Sequence, residues 1–195
     1  MAIDFMVMPM SRYISGDFVT LAMRLAWSNG VPYAVIGPDG RRELPPGLPF
    51  GGADASVRRN QIVEMVLDDL RALPAEIASQ LWDERSDAEP CFHRVDAPSY
   101  EALLAHFAPR AQRSFFGLKP GTRVSHCASS LLLPCDFAQP VALVSPFERT
   151  AGAAAQALRE LASSACPPEA ASAADTLREA LTDSLRLRLP IIVDW

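Results

Sequence analysis

Cys91 and His93 stand two residues apart around Phe92, and His126 and Cys127 are adjacent. These residue types can be built into two kinds of chemistry. A thiol beside an imidazole makes a nucleophile and its base, provided that both come within hydrogen-bond reach and a carboxylate orients the ring. Asp87 and Asp96 are the acids close enough in sequence to be that carboxylate. Two Cys and two His could also close a tetrahedral zinc site. The spacing speaks against zinc, because neighbours such as His126 and Cys127 point apart in an extended chain. An enzymatic reading therefore draws on Cys91, His93, Asp96, His126 and Cys127 and acts on a small molecule, with no metal or other cofactor. Its competitor is burial, the ordinary fate of a free cysteine.

Known catalytic signatures give no support to the enzyme. The chain has no G-x-S-x-G, H-E-x-x-H, P-loop or G-x-G-x-x-G pattern. The Ser11–Asp17 stretch runs from a predicted strand to a predicted helix start, where free amides favour an anion. Arg12 would add to that attraction and Asp17 would oppose it.

A second concentration is acidic. Residues 60–89 hold eight acids and two bases, a net of −6, whereas the remaining 15 acids and 16 bases give +1. An acidic surface of this kind steers a basic partner and raises its association rate. Glu64, Asp68, Asp83, Glu84, Asp87 and Glu89 would carry the charge, with Trp82 and Phe92 as apolar anchors at the centre. The favoured expectation is a non-enzymatic, cytosolic bacterial protein-binding domain of antitoxin or immunity type. It would neutralise a basic partner protein by occlusion. The plainer alternative is a solvated helical face that keeps the protein soluble.

Composition sets the frame. At 195 residues, 49% apolar and 21% charged, the chain reads as one globular domain over 1–195. A net charge of −5 lacks the basic excess that displaces counterions from nucleic acid. The 18 bases are 17 Arg and one Lys, Lys119, a bias that suggests a GC-rich bacterial genome. The N-terminus has no basic leader, no run of 18 apolar residues exists, and the four irregularly spaced cysteines read as reduced thiols. A cytoplasmic protein without a membrane partner is expected.

The elements that must position these groups alternate between strand and helix. Residues 3–8 predict a strand stopped by Pro9, and Asp17 predicts the cap of a helix carrying Phe18, Leu21 and Leu25. Residues 33–36 predict a second strand, shared with the first if the two are parallel. From 37 to 56, nine of twenty residues are Gly or Pro, which predicts a long loop or lid with a short edge strand at 41–44. Helices are predicted over 56–72, from Pro74 with Ile77, Leu81 and Trp82 on its apolar face until Glu89-Pro90 ends the helical region, and over 98–107. Residues 109–140 are irregular, with strand fragments at Val124 and 131–133, followed by a strand at 141–144. Helices over 151–163 and 172–187 and a buried strand at 191–193 complete an α/β or α+β fold with a small mixed sheet.

Overall fold

The computed structural model describes residues 2–37, 40–108, 124–143 and 149–194. Part of the predicted turn at 38–40, much of the irregular 109–140 segment and Val144 lie outside the described residues. The first strand, β1 (Ala2–Val7), ends where Pro9 removes a backbone donor. Pro9 then becomes the N-cap of a short helix, α1 (Met10–Ser15), which Gly16 closes in the left-handed conformation at φ 72°. The next helix, α2 (Leu21–Ser28), begins at Thr20, whose hydroxyl accepts from the Met23 amide at 3.2 Å. The predicted cap at Asp17 is thus replaced by Thr20, because α1 and its Gly16 turn already occupy that stretch.

Strands β2 (Tyr33–Gly37) and β3 (Gly40–Leu44) pair with each other, antiparallel, in a sheet of their own. The condition that 33–36 shares a parallel sheet with β1 is therefore not met. Turn chemistry at 38–40 joins two adjacent strands, and a short loop closes at little entropic cost. Helix α3 (Ala55–Arg71) matches the apolar spacing of Val63, Val66 and Leu70, all buried. After it, α4 spans only Ala75–Ala78, and the predicted continuation through Trp82 toward Glu89 is irregular chain. Strand β4 (Cys91–Asp96) and helix α5 (Ala97–Phe107) follow. The C-terminal part holds β5 (Leu131–Leu133), β6 (Val141–Ala142), β7 (Thr150–Ala153), α6 (Ala154–Ser163), α7 (Ala171–Leu187) and β8 (Ile191–Asp194). The helix expected from 151 starts at 154, because 150–153 pairs with both β5 and β6.

The result is an α/β fold around a mixed six-stranded sheet of order β4-β1-β8-β5-β7-β6. The β5–β7 pair is parallel and the others are antiparallel. Register decides which residues share a face. Phe5 lies opposite His93 on one side and Val193 on the other, so all three point the same way. That face meets α5 and α7, with the rings of Phe5 and Tyr100 edge to face at 5.5 Å. Met6 lies opposite Phe92 and Ile192 on the reverse face. There Phe18 stacks between Tyr13 and Phe50, with Phe92 tilted beside it. Residues 16–18 and 50–51 are joined by backbone bonds, Gly51 N–H to Gly16 O and Phe50 N–H to Phe18 O, both 2.8 Å. The middle of the predicted lid is therefore fastened to the body. Among the described residues, no helix is long and apolar enough to cross a membrane.

Candidate functional site

The acidic stretch separates into two populations. Glu84 is buried, 1% exposed, and Trp82 is 4% exposed. The Glu84 carboxylate accepts from the Met10 amide at 3.0 Å, from the Ser11 amide at 2.8 Å and from the Trp82 indole N–H. It therefore takes free amides at the start of α1, a helix start upstream of the one near Asp17 where the sequence suggested an anion. Trp82 and Glu84 are consequently corrected as contact residues: their side chains form an internal brace and cannot reach a partner.

The remaining acids are exposed and mostly face their own arginines. Glu64 meets Arg85, Asp68 meets Arg71 at 2.7 Å, Asp87 meets Arg59 at 3.1 Å and Glu89 meets Arg24 at 2.5 Å. Asp83 caps a turn by accepting from the Arg85 amide at 2.9 Å. Phe92 is half-buried in the aromatic cluster below the sheet. Surface pairs of this kind contribute about 0–1 kcal/mol each and exchange readily. Arg59 is different. Its guanidinium is nearly buried and donates to Asp17, Asp87 and the carbonyls of Glu84 and Ser86. Arg12 donates to the carbonyls of Asp17 and Ala88. The two arginines hold the 84–88 segment against the body. Burial and the nearby Arg59 charge lower the Arg12 pKa from its ordinary value.

The Cys/His groups occupy two places. Cys91 and His93 lie on the edge strand β4, on the face toward α7. The His93 ring meets Asp183 at 3.1 Å through Nε2 and Glu179 at 3.8 Å through Nδ1, both from α7. Asp96, weighed above as an orienting acid, instead caps α5 by accepting from the Ser99 amide at 2.9 Å. Asp87 is engaged by Arg59. Burial, then the Asp183 charge, pushes the Cys91 thiol up. Nothing in the sequence pointed to Asp183 or Glu179, which are far from His93 along the chain.

His126 and Cys127 belong to a buried 3₁₀ turn, His126–Ala128, set against β7 and α6. The Ala153 amide donates to His126 Nδ1 at 2.8 Å, which places a neutral ring's proton on Nε2, facing the Ala138 carbonyl at 3.4 Å. Cys127 donates to the Ala157 carbonyl, and burial followed by the Glu160 charge drives its thiol far above the ordinary range. In the sheet order, β4 and β7 are separated by β1, β8 and β5, about 19 Å at 4.8 Å per strand. Among the described residues, no group of three or more His, Cys, Asp or Glu is arranged to hold a metal ion. The thiols make a direct test. Cys91 and Cys166 are partly exposed, whereas Cys127 and Cys135 are buried, with Cys135 pushed up to about 11 by burial. A thiol reagent at neutral pH is expected to label Cys91 and Cys166 in the native protein and the other two only after unfolding. Fast labelling of Cys127 would restore it as a nucleophile.

The feature that sequence reasoning missed is the arm made by α2, β2 and β3. On β3, Arg41 and Glu43 face solvent with Ile36 of β2, whereas Leu44 turns inward and is buried. Ile36 is 84% exposed, and Leu21, Leu25 and Val31 are each more than half exposed. Leu21 and Leu25, one helical turn apart, share the outer side of α2 with Arg24. At the base of the arm is a cleft of about 300 Å³ lined by Trp27, Val31, Pro32, Pro45 and Pro46, with Glu43 as its charged residue. Trp27 is fixed there by an indole N–H bond to the Leu44 carbonyl at 3.1 Å. The available signal is the helical spacing of apolar Leu21 and Leu25, which marks an apolar face without saying what covers it. Comparison with protein-family models, with curated proteins and with solved structures gives no match to this chain.

Proposed function

We propose that this chain is a protein-binding domain that neutralises its partner by occlusion, as antitoxins and immunity proteins do, and that it grips the partner through the α2–β2–β3 arm. The observation that carries this reading is the outward display of Leu21, Leu25, Val31 and Ile36 on a small arm. Grouped exposed apolar residues of this size mark interaction surfaces. The acidic stretch borders the arm through the Arg24–Glu89 ion pair. Exposed apolar residues flanked by a charged pair at the exposed end of the acidic segment have the anatomy of an interface with a polar rim. The acids then set partner sign and on-rate, and the arm supplies the affinity. The complementary partner is a protein with an apolar patch ringed by basic residues.

The test is capture of a partner from the native host, followed by reconstitution of the purified pair. The expected result is one stoichiometric basic protein whose own activity falls when this chain is added. Ile36→Asp and Leu25→Asp are expected to weaken the pair at least about tenfold each, since each loses roughly 1.4 kcal/mol or more of apolar contact. Asp83→Lys should instead slow association and reduce its salt dependence. A partner whose activity is unaffected, or whose binding ignores both arm variants, would overturn the reading.

A further inference from the structure

We infer that the cleft at the base of the arm is a socket for a single cationic side chain, an arginine or lysine presented by the basic partner; this rests on the protein-binding reading above. At about 300 Å³ the cleft has room for one long side chain together with part of the backbone that presents it. Its walls, Trp27, Val31, Pro32, Pro45 and Pro46, are apolar and suit an aliphatic stem. The one carboxylate among its lining residues, Glu43, suits the charged head. An indole wall favours a cation over a neutral group of the same shape.

Two further observations fit this occupant. The Trp27 ring is held by its bond to the Leu44 carbonyl, so the wall is formed before anything binds. Glu43 is paired with Arg41 at 3.2 Å, and both side chains are well over half exposed. That intramolecular pair places a guanidinium on Glu43 from the chain's own strand and is weak enough to be exchanged for one from outside. An acidic side chain would meet Glu43 with like charge. A purely apolar one would leave the Glu43–Arg41 pair as it is and gain nothing from the carboxylate.

The experiment is a ¹H–¹⁵N titration of the full chain with the capped tripeptide acetyl-Gly-Arg-Gly-amide at millimolar concentration. The chain has three tryptophans, and Trp27→Phe assigns the relevant indole signal. The expected result is a saturable shift of the Trp27 indole signal with the arginine peptide. The peptide carrying citrulline, which has the same length but no charge, should bind about three- to fivefold more weakly, and Glu43→Gln should reduce arginine binding by a similar factor. No saturable shift, an equal response to citrulline, or an unchanged response in Glu43→Gln would overturn the socket. Glu43 is exposed, so the variant's other signals should remain in place and report an intact fold. Failure here with successful partner capture through Leu25 and Ile36 would sink the socket alone. A saturable arginine response with no inhibited partner would leave the socket standing and sink the neutralising function.

Discussion

Glu84→Ala is expected to lose about 3–5 kcal/mol of folding stability, read as a fall in the urea midpoint at unchanged slope. The carboxylate is buried and uses both oxygens: one accepts from Met10 and Trp82, the other from Ser11. Removing it strands two helix-start amides and an indole N–H away from water. Each unsatisfied donor costs about 1–3 kcal/mol, partly recovered by relaxation. Since a typical domain has only about 5–15 kcal/mol in hand, this one change should bring the protein close to its unfolding threshold. Glu84→Gln should cost less, because its carbonyl can keep two donors while its NH2 turns against the third. Asp83→Lys, one residue away but exposed, should stay within about 0.5 kcal/mol. Equal effects at 83 and 84 would refute the internal brace.

Gly51→Ala is expected to cost about 2–3 kcal/mol by forcing two backbones apart. A Cβ at Gly51 would stand 2.3 Å from the Ser15 carbonyl oxygen and 2.5 Å from the Arg58 guanidinium. The guanidinium can swing away, but the carbonyl belongs to the end of α1 and cannot. The facing residue, Gly16, has the reciprocal constraint: its own Cβ would lie 2.6 Å from Gly51 N, at a φ of 72°. Gly47→Ala is the fitting control. It also has positive φ, at 86°, but nothing stands within 4 Å of the added carbon, so only the conformational cost of about 1 kcal/mol should appear. Thermal melts of the two variants would decide. A Gly51→Ala melt no lower than that of Gly47→Ala would show that the 16–18 and 50–51 segments are not locked together.

The sequence revealed those elements whose own side chains settle their structure. Helices α3, α5 and α7 were legible because their apolar residues recur at helical spacing, and β8 because Ile191, Ile192 and Val193 are apolar on both faces. Strand β4 was not, because Cys-Phe-His-Arg-Val-Asp places a charged or polar residue at three of six positions. Its strand character comes from pairing with β1. Helix α1 was hidden for a related reason. Its start is stabilised by Glu84, 73 residues downstream of Ser11, so local capping signals were absent. The candidate site divides in the same way. The sequence places the acids along the chain but does not tell a buried Glu84 from an exposed Asp83, since that depends on which residue meets α1. The exposure of Leu21 and Leu25 was equally hidden, because periodicity marks an apolar face without saying what covers it.

The position of β8 has a consequence for how the molecule comes together. Strands β4 and β1 form one ladder, and β5, β7 and β6 form another. Among the described strands, β8 alone touches both, with Val7 opposite Ile191 on one edge and Leu131 opposite Ile192 on the other. Until residues 191–194 arrive, the sheet is two unconnected pieces with raw inner edges. The step that joins them has the longest loop to close, and long-range closure of this kind slows folding. The half-sheets wait during that interval with unpaired strand edges, the state in which a β-containing chain is most prone to associate with the wrong neighbour.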